Sequence, residues 1–90
     1  MKFSRCEKIA GRYVHVPVKG IGETSESRWY LPWLNGGAAR FNYVPATAAD
    51  CDFVASIDLD GQFGTELRVE SDAELAVNSF FFADAPQEAG

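Results

Sequence analysis

The sequence predicts a small, mostly β domain of five to seven antiparallel strands, arranged as a meander or a partly open barrel. Three observations carry that expectation. Short runs of β-forming residues alternate apolar with polar positions. Turn residues separate these runs at close intervals. Asn35-Gly36-Gly37 stands between two apolar runs, and Asn-Gly in that setting is the strongest short hairpin signal. The 90 residues are 47% hydrophobic and include two Trp, three Tyr and seven Phe, enough for one packed core. A single domain is expected over residues 1–83, with 84–90 as a flexible tail.

Phe3 to Ile9 is the first expected strand, closed by Ala10-Gly11. Arg12 to Val18 is the second, with Val14, Val16 and Val18 on one face and Tyr13, His15 and Pro17 on the other. Pro17 has no N–H to give a ladder, which places this strand at a sheet edge or ends it there. Residues 19–27 are polar, contain Gly20 and Gly22, and read as a flexible loop able to contact a partner. Arg28 to Leu34 and Ala38 to Val44 form the arms of a central hairpin, the first made irregular by Pro32. Alternation there puts Trp29, Leu31 and Trp33 on one face and Tyr30, Pro32 and Leu34 on the other. Residues 45–51 connect onward with one helical turn.

Asp52 to Asp60 gives the cleanest alternation: Phe53, Ala55, Ile57 and Leu59 against Asp52, Ser56, Asp58 and Asp60. A second strand carries Phe63, Leu67 and Val69 inward and Glu66, Arg68 and Glu70 outward. Joined as a hairpin about Gly61-Gln62, the pair needs a three- or five-residue connection to keep both apolar sets on one face. Its outer face then gathers Asp52, Asp58, Asp60, Glu66 and Glu70 around Arg68 alone. Ser71 to Ala83 admits two readings. Ser71-Asp72-Ala73-Glu74 fits a capping box, which would make residues 71–83 helical and the fold α+β. Asn78-Ser79-Phe80-Phe81-Phe82 is poor helix, so a strand over Leu75 to Phe82 is preferred. In a strand, three successive phenylalanines cannot share one core, so at least one faces outward.

No reactive constellation is legible. His15 is the sole histidine, and general acid–base work needs a positioned partner that no spacing marks. Cys6 and Cys51 form no Cys-x-x-Cys knuckle, Asp58-Leu59-Asp60-Gly61 fails the EF-hand pattern, and Gly20 and Gly22 lack phosphate-loop spacing. A non-enzymatic protein with no cofactor and no metal is therefore expected. The charged start of the chain breaks any apolar leader, so a cytoplasmic protein with both cysteines as free thiols is expected. No run of 18 apolar residues marks a membrane span.

Charge is uneven. Residues 1–45 hold seven basic and three acidic residues; residues 46–90 hold one and ten, giving the overall −5. The acidic half repels nucleic acid and anionic lipid and attracts basic surfaces. The expected function is that of a small acidic binding protein, docking on and blocking a basic, nucleic-acid-binding surface of a partner. It would contact neither nucleic acid nor membrane itself. Phage-encoded inhibitors of host defence nucleases, anti-CRISPR proteins among them, share this size and charge as a class. The expected contact residues are Asp52, Asp58, Asp60, Glu66, Glu70, Trp29, Tyr30 and Trp33. The alternatives are an assembly subunit that forms homo-oligomers through aromatic edges, and a small enzyme using His15 or a cysteine.

Overall fold

A computed structural model describes residues 2–20, 25–60 and 64–85. In chain order it has β1 (Phe3–Lys8), β2 (Tyr13–Val18), β3 (Ser25–Tyr30), a 3-10 turn at Pro32–Leu34 and β4 (Ala39–Tyr43). A second 3-10 turn at Ala48–Asp50 leads to β5 (Phe53–Asp58), β6 (Glu66–Ser71), α1 (Glu74–Asn78) and β7 (Phe81–Ala83). The fold is mostly β and antiparallel. One sheet has the order β1-β6-β3-β4 and the other β5-β2-β7, and they do not close into a barrel.

Strand alternation sets the core. Val14, Val16 and Val18 of β2, Trp29 of β3, Tyr43 of β4 and Leu67 and Val69 of β6 are buried between the sheets. Leu31, Leu59 and Phe80 close its ends, and Ala76 and Val77 of α1 pack down on it. Ser27 and Ser71 are the polar members. Ser27 Oγ donates to Ser71 Oγ at 3.1 Å, and Ser71 Oγ donates to the Glu26 carbonyl at 3.2 Å, so neither hydroxyl is buried without a partner.

The expected hairpin of residues 52–70 does not form: β5 and β6 lie in different sheets. The inward residues of β5 find better partners on β2, where Val14 stands opposite Ile57, Val16 opposite Ala55 and Val18 opposite Phe53. β6 becomes an inner strand between β1 and β3, which covers both its edges. The connection at residues 61–63, with Phe63, lies outside the described residues.

Residues 71–83 also depart from the expected strand. Glu74–Asn78 form a short helix and only Phe81–Ala83 a strand. A tertiary contact decides this: Arg5 Nη1 donates to the Val77 and Phe80 carbonyls, at 3.1 and 3.4 Å, and satisfies groups at the helix end. The capping box is absent, because the Ser71 hydroxyl accepts from the Ala73 N–H and the helix starts after Ala73 without a side-chain cap. The three phenylalanines divide as parity requires. Phe80 is buried, Phe82 packs on the core, and Phe81 turns out beside His15, 39% exposed.

Pro17 is not at a sheet edge. β2 is the central strand of its sheet, but β7 reaches only Tyr13–His15, and the short bridge beyond it uses the Pro17 carbonyl, which accepts from the Ala46 N–H at 3.2 Å. Within the expected loop 19–27, Ser25 already begins β3, and residues 21–24 lie outside the described residues. Of the expected tail, 86–90 also lie outside them. Ala85 is described, and its carbonyl meets His15 Nε2 at 2.9 Å.

The central hairpin forms as expected, with β3 against β4 and an irregular crossing. Asn35 has φ 49° and Gly36 φ 87°, both left-handed. An added Cβ at Gly36 meets nothing within 4 Å, so backbone strain is the whole effect there. Gly36→Val is expected to cost about 1–2 kcal/mol in urea melts, since a β-branched residue at positive φ is strained. An unchanged midpoint would contradict the turn described.

Candidate functional site

An opening lies between the two sheets, bordered by residues of β2, β3, β4 and β5. Inward residues of four strands line the opening: Val16 and Val18 from β2, Ala55 and Ile57 from β5, Trp29 from β3, and Phe41 and Tyr43 from β4. Phe53 and Asn42 stand at its rims. The cavity is about 290 Å³ and almost wholly apolar. Phe53 is 50% exposed and Phe41 39%. Burial pushes the Tyr43 hydroxyl pKa up, an effect that Ser27 and Trp29 nearby partly offset, although neither makes a well-aligned hydrogen bond with it. A concave apolar opening with few polar groups is the form that binding sites take.

The expected contact residues do not share one face. Asp52 precedes β5 and Asp58 ends it, and Asp58 pairs with Arg12 at 3.2 Å. The Arg12 guanidinium, helped by the Asp60 N–H, holds the Asp58 carboxyl below its ordinary range. Asp60 lies past the strand end at φ 52°, in a turn closed by its N–H donating to Asp58 Oδ1 at 2.8 Å. Glu66 and Glu70 belong to the other sheet, among mixed charges. Lys8 is opposite Glu66, Arg28 is opposite both Glu70 and Arg40, and Arg68 of β6 faces the same way. Four cations and three carboxylates (Glu26 is the third) share that face. The crowded acidic face inferred from parity is therefore not formed.

The aromatic residues separate as well. Trp29 is fully buried and contacts Phe80 edge-on at 5.4 Å between ring centroids. Tyr30 is on the mixed face, its hydroxyl donating to Glu70 at 2.7 Å and its ring under Arg68 at 4.0 Å. Trp33 is 47% exposed, because the 3-10 turn at Pro32–Leu34 ends the alternation that would have turned it inward. The groove residues Phe41, Phe53, Ala55 and Ile57 were missed as a site. Each reads as ordinary core in sequence, and their shared lining of one opening becomes visible only in the structure.

Groups suited to chemistry are held elsewhere. The buried His15 ring lies against Phe81, at 5.2 Å between centroids, and bonds a backbone carbonyl. The Cys6 thiol donates to Glu66 at 3.3 Å; that bond, then desolvation and the negative charge of Glu66, push its pKa up. That is the reverse of an activated nucleophile. Among the described residues no cluster suited to a metal ion occurs, and no helix is long and apolar enough to cross a membrane. Cys6 and Cys51 are both free. Thiol titration of the denatured protein without reductant is expected to find two thiols; finding none would reveal a bridge.

Comparison with protein-family models, with curated proteins and with solved structures gives no match.

Proposed function

We propose that this chain is a non-enzymatic acidic binding protein that docks on a basic, nucleic-acid-binding surface of a partner protein and blocks it. One observation supports this most. Strand β5 ends on Asp58, with Asp50 and Asp52 before it and Asp60 after it, beside the exposed ring of Phe53, and among the described residues Lys19 and Arg12 are the cations paired with this group, on Asp50 and Asp58. An apolar anchor bordered by carboxylates suits a surface of lysines and arginines that would otherwise hold phosphates. The carboxylates would raise the association rate, and Phe53 would supply contact area. A phage-encoded inhibitor of a host defence nuclease complex, anti-CRISPR-like and acting in the cytoplasm, is the setting this reading points to by class.

The test uses parallel baits, the native chain and Asp52→Lys with Asp58→Lys, in a lysate of the source cell. The native chain is expected to retain a basic protein that nucleic acid displaces, and the reversed chain to bind it at least roughly tenfold more weakly at low salt. A partner held equally by both baits at low and high salt would overturn the reading.

A further inference from the structure

We propose that the opening, a seam between the two sheets, is a binding site for an uncharged aromatic molecule of two fused rings. Size sets the first limit. The cavity is about 290 Å³, and an apolar cavity of about 150 Å³ holds one benzene ring. Lining chemistry sets the second. Among the described residues none that lines the seam is charged, and Asn42 stands at the rim. The Trp29 Nε1 and the Tyr43 hydroxyl are both shut off from solvent, so these two residues present ring carbons to an occupant. A carboxylate or phosphate inside would give up its water without meeting a counter-charge. A hydrocarbon ring gives up no hydrogen bond there, and it meets the rings of Trp29, Phe41, Tyr43 and Phe53. A small uncharged substituent, such as a hydroxyl, would stay at the rim with Asn42 and water.

The walls hold this space open. Val16 and Val18 of β2 stand opposite Ala55 and Phe53 of β5, so one ladder fixes both strands of that wall. Trp29 is fixed between Ala39 of β4 and Val69 of β6. Val16, Val18 and Ile57 are β-branched and have little rotamer freedom with which to fill the gap. Ala55 is the one small member of the inward set of β5, between Phe53 and Ile57. The lining is therefore thinnest where a methyl group stands between two large side chains. The partly exposed rings of Phe53 and Phe41 keep the entrance apolar as well.

Phe53 borders both this seam and the carboxylates proposed to meet a basic partner. The measurement therefore uses this protein alone, so that its failure leaves the basic-partner reading standing. The probe is 2-naphthol, and the readout is the pair of indole N–H signals in a heteronuclear NMR spectrum. Trp29 walls the seam, whereas Trp33 is exposed in the turn at Pro32–Leu34 and is not part of the lining. Trp33→Phe assigns the two signals. Titration is expected to move the Trp29 signal saturably, with a Kd below about 1 mM, and to leave the Trp33 signal in place. Ala55→Phe sets a ring of the protein's own in the space. It is expected to weaken binding by roughly tenfold or more while the unfolding midpoint is unchanged or raised. Ala55→Leu fills less of the space and is the second variant, expected to weaken binding to a smaller extent with the fold intact. A Trp29 signal that stays still up to the solubility of the probe, an equal shift of Trp33, or a folded Ala55 variant that binds as tightly as the native chain would each overturn the proposal. So would a Trp29 signal that moves with protein concentration and not with probe, which would assign the seam to a second copy of the chain.

Discussion

Trp29→Ala is expected to cost about 3–5 kcal/mol in urea or thermal unfolding, the largest effect of any single truncation in this chain. Trp29 is fully buried, pairs across the sheet with Val69 of β6 and Ala39 of β4, and packs edge-on against Phe80 and Phe41. It also walls the inner side of the seam. Its removal would extend the existing opening into the core, where water could enter and the surroundings could not collapse to fill the space. Set against the 5–15 kcal/mol typical of whole domains, such a loss leaves a marginal protein or an unfolded one. Trp29→Phe retains most of the volume and is expected to lose roughly half as much or less. A Trp29→Ala variant melting within experimental error of the native chain would mean that the core does not centre on this ring.

Gly11→Ala is expected to cost about 1–3 kcal/mol, by overpacking and not by cavity formation. A Cβ built on Gly11 falls 2.8 Å from the Ala83 carbonyl oxygen, 3.0 Å from its nitrogen and 3.1 Å from its carbonyl carbon. The obstacle is backbone, not the tip of a flexible side chain, so β7 must move. β7 has only three residues, held by pairing with Tyr13–His15, and is the element most easily displaced. Hydrogen exchange should therefore localise the damage. Amides in β7 should lose protection while those of β6 keep theirs. A uniform loss, or none, would count against this close approach.

Gly11 also marks where the sequence stops being legible. In sequence it is the end of a strand; its reason for being glycine is the backbone of Ala83, more than seventy positions away. Local signals served well. The positive φ of Asn35 and Gly36, the irregular arm at Pro32 and the division of Phe80, Phe81 and Phe82 each follow from one residue's own conformational limits or from period-2 alternation. Pairing did not follow, because alternation assigns a face to a side chain and says nothing about which strand lies alongside. Asp58 and Glu66 therefore read as neighbours on one acidic face, and they stand on different sheets. Helix α1 lies in between: its two buried residues, Ala76 and Val77, suit helix or strand alike, and Arg5 on a distant strand decides the matter. The seam was hidden for a related reason. Phe53 and Phe41 have the pattern of core residues, yet both stand partly exposed at the opening, which alternation alone does not reveal.

The order of strands in the sheets has a kinetic consequence. Of the strand pairs among the described residues, only β3 with β4 joins chain neighbours; β1 must find β6, and β2 must find both β5 and β7. The guanidinium of Arg5 closes onto the Val77 carbonyl 72 residues along the chain. Each such closure loses chain entropy before any contact compensates it, so topologies of this kind fold in milliseconds to seconds where local ones take microseconds. The β3–β4 hairpin closes the shortest loop of these pairings. Until β6 docks on it and β1 on β6, the inner faces of both sheets stay open to solvent and to other chains. During that interval the molecule depends on its net negative charge to keep unfinished copies apart.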